Sequence, residues 1–233
     1  MKIASFLCCA ASLLIFAGCA SVSVRDESRG GVQPVRKPEK IYVEEFETKG
    51  GEFKIAGDEA KDPEAFKKKT ASMLNAYIVR TVSAHVAPAI ASPGRPGASG
   101  WLVKGQFIKV HTGSRVLRAG VGLGAGGTKM ETRVEVYDLS RHSDKPFMTF
   151  QTTGGSNAMP GLLTSTGPVS AAFSMTTQAM MGVSDDSART SRMITGELSE
   201  YMVSRGWIPK NKIYESKKAG GYQLVHEQWT EML

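Results

Sequence analysis

KMETRVEVY, Lys129 to Tyr137, alternates apolar and charged side chains without a break. Met130, Thr132, Val134 and Val136 fall on one side of an extended chain, and Lys129, Glu131, Arg133 and Glu135 on the other. Successive side chains of a strand point to opposite faces, so this stretch predicts a strand with one face buried and one in water. Such one-sided strands belong to antiparallel sheets, whereas a parallel sheet covered on both faces reads as continuous apolar runs.

Moving outward, Pro146 to Thr153 (PFMTFQTT) predicts the next strand, after a polar turn at Ser140 to Lys145. On the other side, Trp101 to His111 (WLVKGQFIKVH) predicts a strand whose inward face switches at Gly105, where a bulge is expected. Lys40 to Glu47 (KIYVEEFE) predicts the first strand. Asp62 offers an N-cap and Pro63 a first helical residue. Phe66, Met73, Leu74, Tyr77, Ile78, Val82 and Val86 then recur at helical spacing, predicting an amphipathic helix over about Pro63 to Val86. A second helix is expected from Ser187 to Arg205, preceded by Asp185 and Asp186 and closed by Gly206. Pro88 to Gly100 reads as a loop, and Gly154 to Gly182 shows no assignable period. Short strands plus two helical stripes predict an α+β domain of two layers: a mostly antiparallel sheet with two amphipathic helices packed on one face.

The N-terminus carries a different message. Lys2 is followed by an apolar run from Ile3 to Phe16, then Ala17, Gly18 and Cys19. A basic start, a short apolar stretch and a small-residue cleavage site make a secretory signal, and the run is too short to span a bilayer. A cysteine directly after the cleavage bond is what acylation of a lipoprotein requires. Residues 1–18 are therefore expected to be a lipoprotein signal peptide, with Cys19 the lipidated residue. Two or three acyl chains anchor far more firmly than one. Ala20 in the next position favours the outer membrane. Residues 19–39, polar and holding Gly30, Gly31, Pro34 and Pro38, read as a flexible tether. Residues 40–209 read as one domain and 210–233 as a charged tail.

Composition narrows the function classes. The three cysteines, Cys8, Cys9 and Cys19, all belong to the signal and its cleavage site. The mature body thus has no disulfide, zinc-thiolate site or cysteine nucleophile. His85, His111, His142 and His226 are scattered, and no HExxH, GxSxG or phosphate-loop pattern occurs. No catalytic residue, metal or cofactor is expected. The one combination worth testing for nucleophilic chemistry is His111 beside Ser114, with Asp138 across a hairpin. A formal charge of +7 suits anionic partners but equally a solvated basic surface, and export argues against nucleic acid.

Gly113 to Gly127 (GSRVLRAGVGLGAGG) is the oddest stretch. Gly122, Gly124 and Gly127 match GxGxxG, yet that fingerprint needs a helix after the turn, and here the alternating strand follows. Two readings remain. The glycines permit a long hairpin connection, or Val116, Leu117, Val121 and Leu123, flanked by Arg115 and Arg118, form an apolar protrusion for a partner or a membrane surface.

GSRVLRAGVGLGAGGTKMETRVEVYD, with KPEKIYVEEF before it and MPG and RGWIP after it, resembles the bacterial lipoprotein family catalogued as domain of unknown function 4410. The resemblance covers Pro38 to Pro209. Gly113, Arg115, Arg118, Gly122, Gly124 and Gly126 fall on its glycine-rich block, and Gly206 and Trp207 on a later one. It implies a lipid-anchored envelope protein and carries no catalytic residues. The expectation is a binding or assembly role at the membrane, through a protein partner or self-association. The alternative is a periplasmic carrier of a lipid or glycan.

Overall fold

In a computed structural model of the protein, the described residues are 21–96, 99–113, 127–141, 144–155 and 168–214, with backbone alone for 21–22 and 168–181. Seven strands are β1 (Ser21–Arg29), β2 (Ile41–Glu44), β3 (Glu52–Lys54), β4 (Ala89–Ser92), β5 (Trp101–His111), β6 (Lys129–Asp138) and β7 (Met148–Gly155). Helices α1 (Pro63–His85) and α2 (Pro168–Ser204) complete an α+β fold. The sheet order is β1-β7-β6-β5-β2-β4, with β3 beside the far half of β5.

The sheet is mixed. β1–β7, β7–β6 and β6–β5 pair antiparallel, as the alternation of β6 predicts. β2, β3 and β4 join by parallel pairing, which the sequence reading did not anticipate. β3 and β4 have three and four residues, too few to display a period of two. α1 supplies the crossover that a parallel β2–β4 pair needs.

Inward positions of β6 are Met130, Thr132, Val134 and Val136, all buried. Thr132 is satisfied by a 2.8 Å bond to Thr152 on β7, so two polar side chains sit in the core without an unmet hydrogen bond. The inward face of β5 does switch, but two residues later than expected: the register shifts between Phe107 and Lys109. Gly105 stays inward for a different reason, because the Phe46 ring occupies the place of its absent Cβ.

α1 begins where the cap predicts. The Asp62 carboxylate accepts from the Ala65 N–H at 3.0 Å, and Phe66, Leu74, Ile78 and Val82 are buried. Lys67, which opposes the helix dipole, is drawn to Glu64 at 2.7 Å. α2 starts at Pro168, well before the predicted Ser187. Over the predicted span the expected stripe of Ile194, Leu198, Tyr201 and Met202 is buried, together with Ser187, Thr190, Ser191 and Thr195; the stretch before it mixes Ala, Met, Ser and Thr and shows no helical period. The two helices pack on each other and on the same sheet face through one core that includes Phe66, Ile78, Val134, Phe150, Ile194 and Leu198. Tyr42, Leu102 and Leu139 form a smaller cluster on the other face.

Residues 21–39 are not a tether. Ser21–Arg29 is the edge strand β1, in register with β7 and bulged between Arg25 and Ser28, with Asp26 at φ 54°. Val24 is its one buried apolar side chain among the described ones, so composition reads as linker although the backbone pairs with β7 on both sides of the bulge. A bulge and charged residues on an edge also discourage pairing with another sheet. Residues 1–20 and 215–233 lie outside the described residues. In the predicted tail, Lys210–Lys212 forms a 3-10 turn and Tyr214 stacks on His85 at 4.5 Å.

Candidate functional site

The register defines two ends of the sheet. At one, β5 finishes at His111, β6 starts at Lys129, β7 finishes at Gly155 and β1 starts at Ser21. This is the Gly113 end. Gly113 itself takes φ 76°, a conformation glycine adopts without strain. Charges here are largely matched. Glu52 receives Lys54 at 2.9 Å, Lys109 at 3.2 Å and His111 at 3.3 Å. Its carboxyl is held down to about 2, chiefly by Lys54 and then Lys109. Glu131 pairs with Lys129 at 2.8 Å and accepts from Thr153 at 3.0 Å. Burial raises its pKa, but these bonds and the Arg25 charge outweigh that and leave it lowered.

Beneath this end α2 contributes a second buried acid. Asp186 on α2 is 1% exposed and its Oδ1 accepts from Arg189 at 3.0 Å. Burial pushes its pKa up to about 6, with Thr128 and Arg189 only partly offsetting that. The neighbourhood is tight: a Cβ on Gly182 would stand 2.5 Å from Thr128 Cγ2, and one on Gly155 would meet the Thr128 carbonyl. Sequence reading took Asp186 for a residue ahead of the helix, since its burial depends on α2 extending back to Pro168.

The opposite end carries a strap, residues 30–40, that crosses the ends of β7, β6 and β5 on its way from β1 to β2. Gln33 Nε2 donates to the carbonyls of Gly30 at 2.7 Å and Phe147 at 3.1 Å, and Gln33 Oε1 accepts from Tyr201 at 3.0 Å. Arg205 donates to the Pro34 carbonyl at 3.0 Å. Gly31 sits at φ 59°, where a Cβ would meet the Pro146 carbonyl at 2.8 Å. Below the strap is an aromatic cluster, Trp101, Phe147, Tyr201 and Trp207, with ring centroids 4.9–6.0 Å apart. A shallow recess beside it is lined by Arg36, Lys37, Glu39, Ser99, Asp138 and Ser140, among others.

The predicted site residues fall out as follows. Cys19, Arg115, Arg118, Val121 and Leu123 lie outside the described residues, as does Ser114. His111 and Asp138 are described and are not brought together. His111 pairs in register with Lys129, and Asp138 with Trp101, at opposite ends of the β5–β6 hairpin. Ten residues of strand separate them, roughly 30 Å. Asp138 is occupied locally, accepting from the Ser140 N–H at 3.0 Å and its hydroxyl at 2.6 Å. The His111–Ser114–Asp138 combination is therefore dismantled. Sequence reading missed the strap, whose Gly and Pro content imitates a linker.

Fold and site together define a two-layer α+β domain with a mixed seven-stranded sheet and an ordered N-terminal strand. The chain belongs to the family described as Domain of unknown function (DUF4410), whose model matches residues 41–187. No curated protein matches the chain. Among solved structures it is similar to the PelC dodecamer from Paraburkholderia phytofirmans, at 13% identity and a TM-score of 0.36, covering 70% of this chain and 97% of that one. A Leu-to-Met variant of the same dodecamer gives the same values. A TM-score of 0.36 is too low for that likeness to bear on this chain's assembly.

Proposed function

We propose that this chain is a lipid-anchored cell-envelope protein with a binding or assembly role and no catalytic activity, acylated on Cys19 and held on the periplasmic face of the outer membrane. One observation supports the reading most. Ser21, two residues after Cys19, pairs with Gly155 at the Gly113 end of the sheet. Only Ala20 separates Cys19 from ordered backbone, so acyl chains on Cys19 hold that end against the bilayer. Gly113 and Gly127, which bound the segment of Arg115, Arg118, Val121 and Leu123, stand at the same end. That segment then meets lipid headgroups, a membrane-adjacent protein or a second copy. The carrier alternative needs a cavity between sheet and helices, and Phe107, Phe150, Ile78 and Leu198 are fully packed in that interval.

Cells fed a fatty-acid probe test the anchor: label on the wild type and none on Cys19→Ala, which accumulates as precursor, is expected. A wild-type chain without label ends the anchoring reading. Crosslinking from Leu123 in the native envelope tests the contact. A discrete partner or self-adduct lost in Val121→Glu is expected, and no adduct, or one that Val121→Glu leaves unchanged, removes the segment's role.

A further inference from the structure

We propose that the strap between β1 and β2 is a docking surface for an acidic segment of a partner protein. Its carboxylates would meet Arg36 and Lys37, and its apolar side chains Val32 and Val35. Val32 is 54% and Val35 65% exposed, and they are two of the three large apolar side chains so exposed among the described residues. An isolated exposed valine needs no explanation, but these two stand three residues apart on one loop. That loop is not slack. Gln33 ties it to Phe147 and Tyr201 and closes it on its own Gly30, Arg205 holds the Pro34 carbonyl, and the Gly30 N–H donates to the Phe147 carbonyl at 3.2 Å. Ordering cost is therefore met during folding and is not charged against binding.

Charge selects the occupant. From Gly30 to Lys40 the strap holds Arg36, Lys37 and Lys40 against the single acid Glu39. Arg36 and Lys37 are exposed, and among the described residues neither enters an ion pair. An acidic segment satisfies both while covering the valines. Aliphatic methyls offer no ring face for a sugar, which favours protein over glycan. A lipid occupant is disfavoured because the strap lies about 30 Å from the end where the chain leaves Cys19. That exclusion alone rests on the anchoring reading; the rest stands on the strap's geometry.

A photo-crosslinking residue at Val35 of the full chain in its native envelope tests the proposal, with Ile90, exposed on the edge strand β4, as control position. The expected result is one discrete adduct from Val35 and none from Ile90. Mass spectrometry of the crosslinked peptide should map it to an Asp- and Glu-rich segment. Arg36→Glu with Lys37→Glu should cut its yield roughly tenfold while the melting temperature holds, and salt should weaken it. No adduct, an adduct with lipid, glycan or a second copy, or one indifferent to charge reversal overturns the proposal. Fatty-acid labelling in the same cells separates the two claims: an unlabelled chain that still gives the charge-dependent adduct sinks the anchor and leaves the strap standing.

Discussion

Asp186 is a carboxylate held where water does not reach, with Arg189 as its close ionic partner and Asp185 as a nearby like charge. Its folded pKa of about 6 lies above the ordinary 3.8, so the folded chain keeps this proton to higher pH than the unfolded chain. The resulting stability is complete below about pH 4 and is lost as pH rises through 6. The displacement corresponds to roughly 3 kcal/mol. Glu52 and Glu131 shift the other way, and their contributions fail only in acid below that window. Asp186→Asn keeps the shape without the charge. We expect it to melt higher than wild type at pH 8 and to match it near pH 3.5 in thermal denaturation. Equal melting temperatures at both pH values contradict a buried charge at this position.

β1 shows how an element can be firmly placed with little sequence signal of its own. It pairs with β7 on both sides of its bulge, yet among its described side chains the one large apolar group it buries is Val24. Val24→Ala removes two methyl groups from a closed position, and core truncations of this kind cost on the order of 2 kcal/mol. Denaturant unfolding should register that loss, and hydrogen exchange should quicken along β1 and its partners on β7, from Thr149 to Thr153. A flexible tether would show neither effect. The same logic applies to α2: Ser187, Thr190, Ser191 and Thr195 have 0% exposure, Ser187 lying against Met130 of β6 and Thr195 against α1. Thr195 bonds Thr81 on α1 at 2.9 Å, and Tyr77 bonds Ser184 at 2.9 Å.

At the scale of the whole molecule, the anchoring reading gives the domain a direction. On that reading the Gly113 end would face the bilayer and the strap end would face away. Since residues 20–233 contain no cysteine, single cysteines can report this. Lys54→Cys marks the Gly113 end, where the side chain is 68% exposed in the isolated chain, and Val35→Cys marks the strap. A bulky maleimide should label Lys54→Cys several-fold more slowly than Val35→Cys on membranes, and the difference should vanish in detergent. Equal rates on membranes mean that the domain does not stand on its Gly113 end.

The sequence alone determined whatever repeats over enough residues to display a period. The alternation from Lys129 to Tyr137 defined β6 and its antiparallel neighbours, and the Asp62 cap with the stripe from Phe66 to Val82 defined α1 to within a residue. Tertiary structure alone decided the rest. β3 and β4 are shorter than any readable pattern and exist because β5 and β2 offer them partners. β1 and the strap resemble a linker because their order comes from backbone bonds and Gln33 rather than from apolar side chains. The first half of α2 mixes small, polar and apolar residues with no helical period, and its place follows from the rest of the fold; His111 and Asp138 stand at opposite ends of one hairpin. Periodicity reports which face of an element is buried; it carries no information about which distant backbone will satisfy an unmarked one.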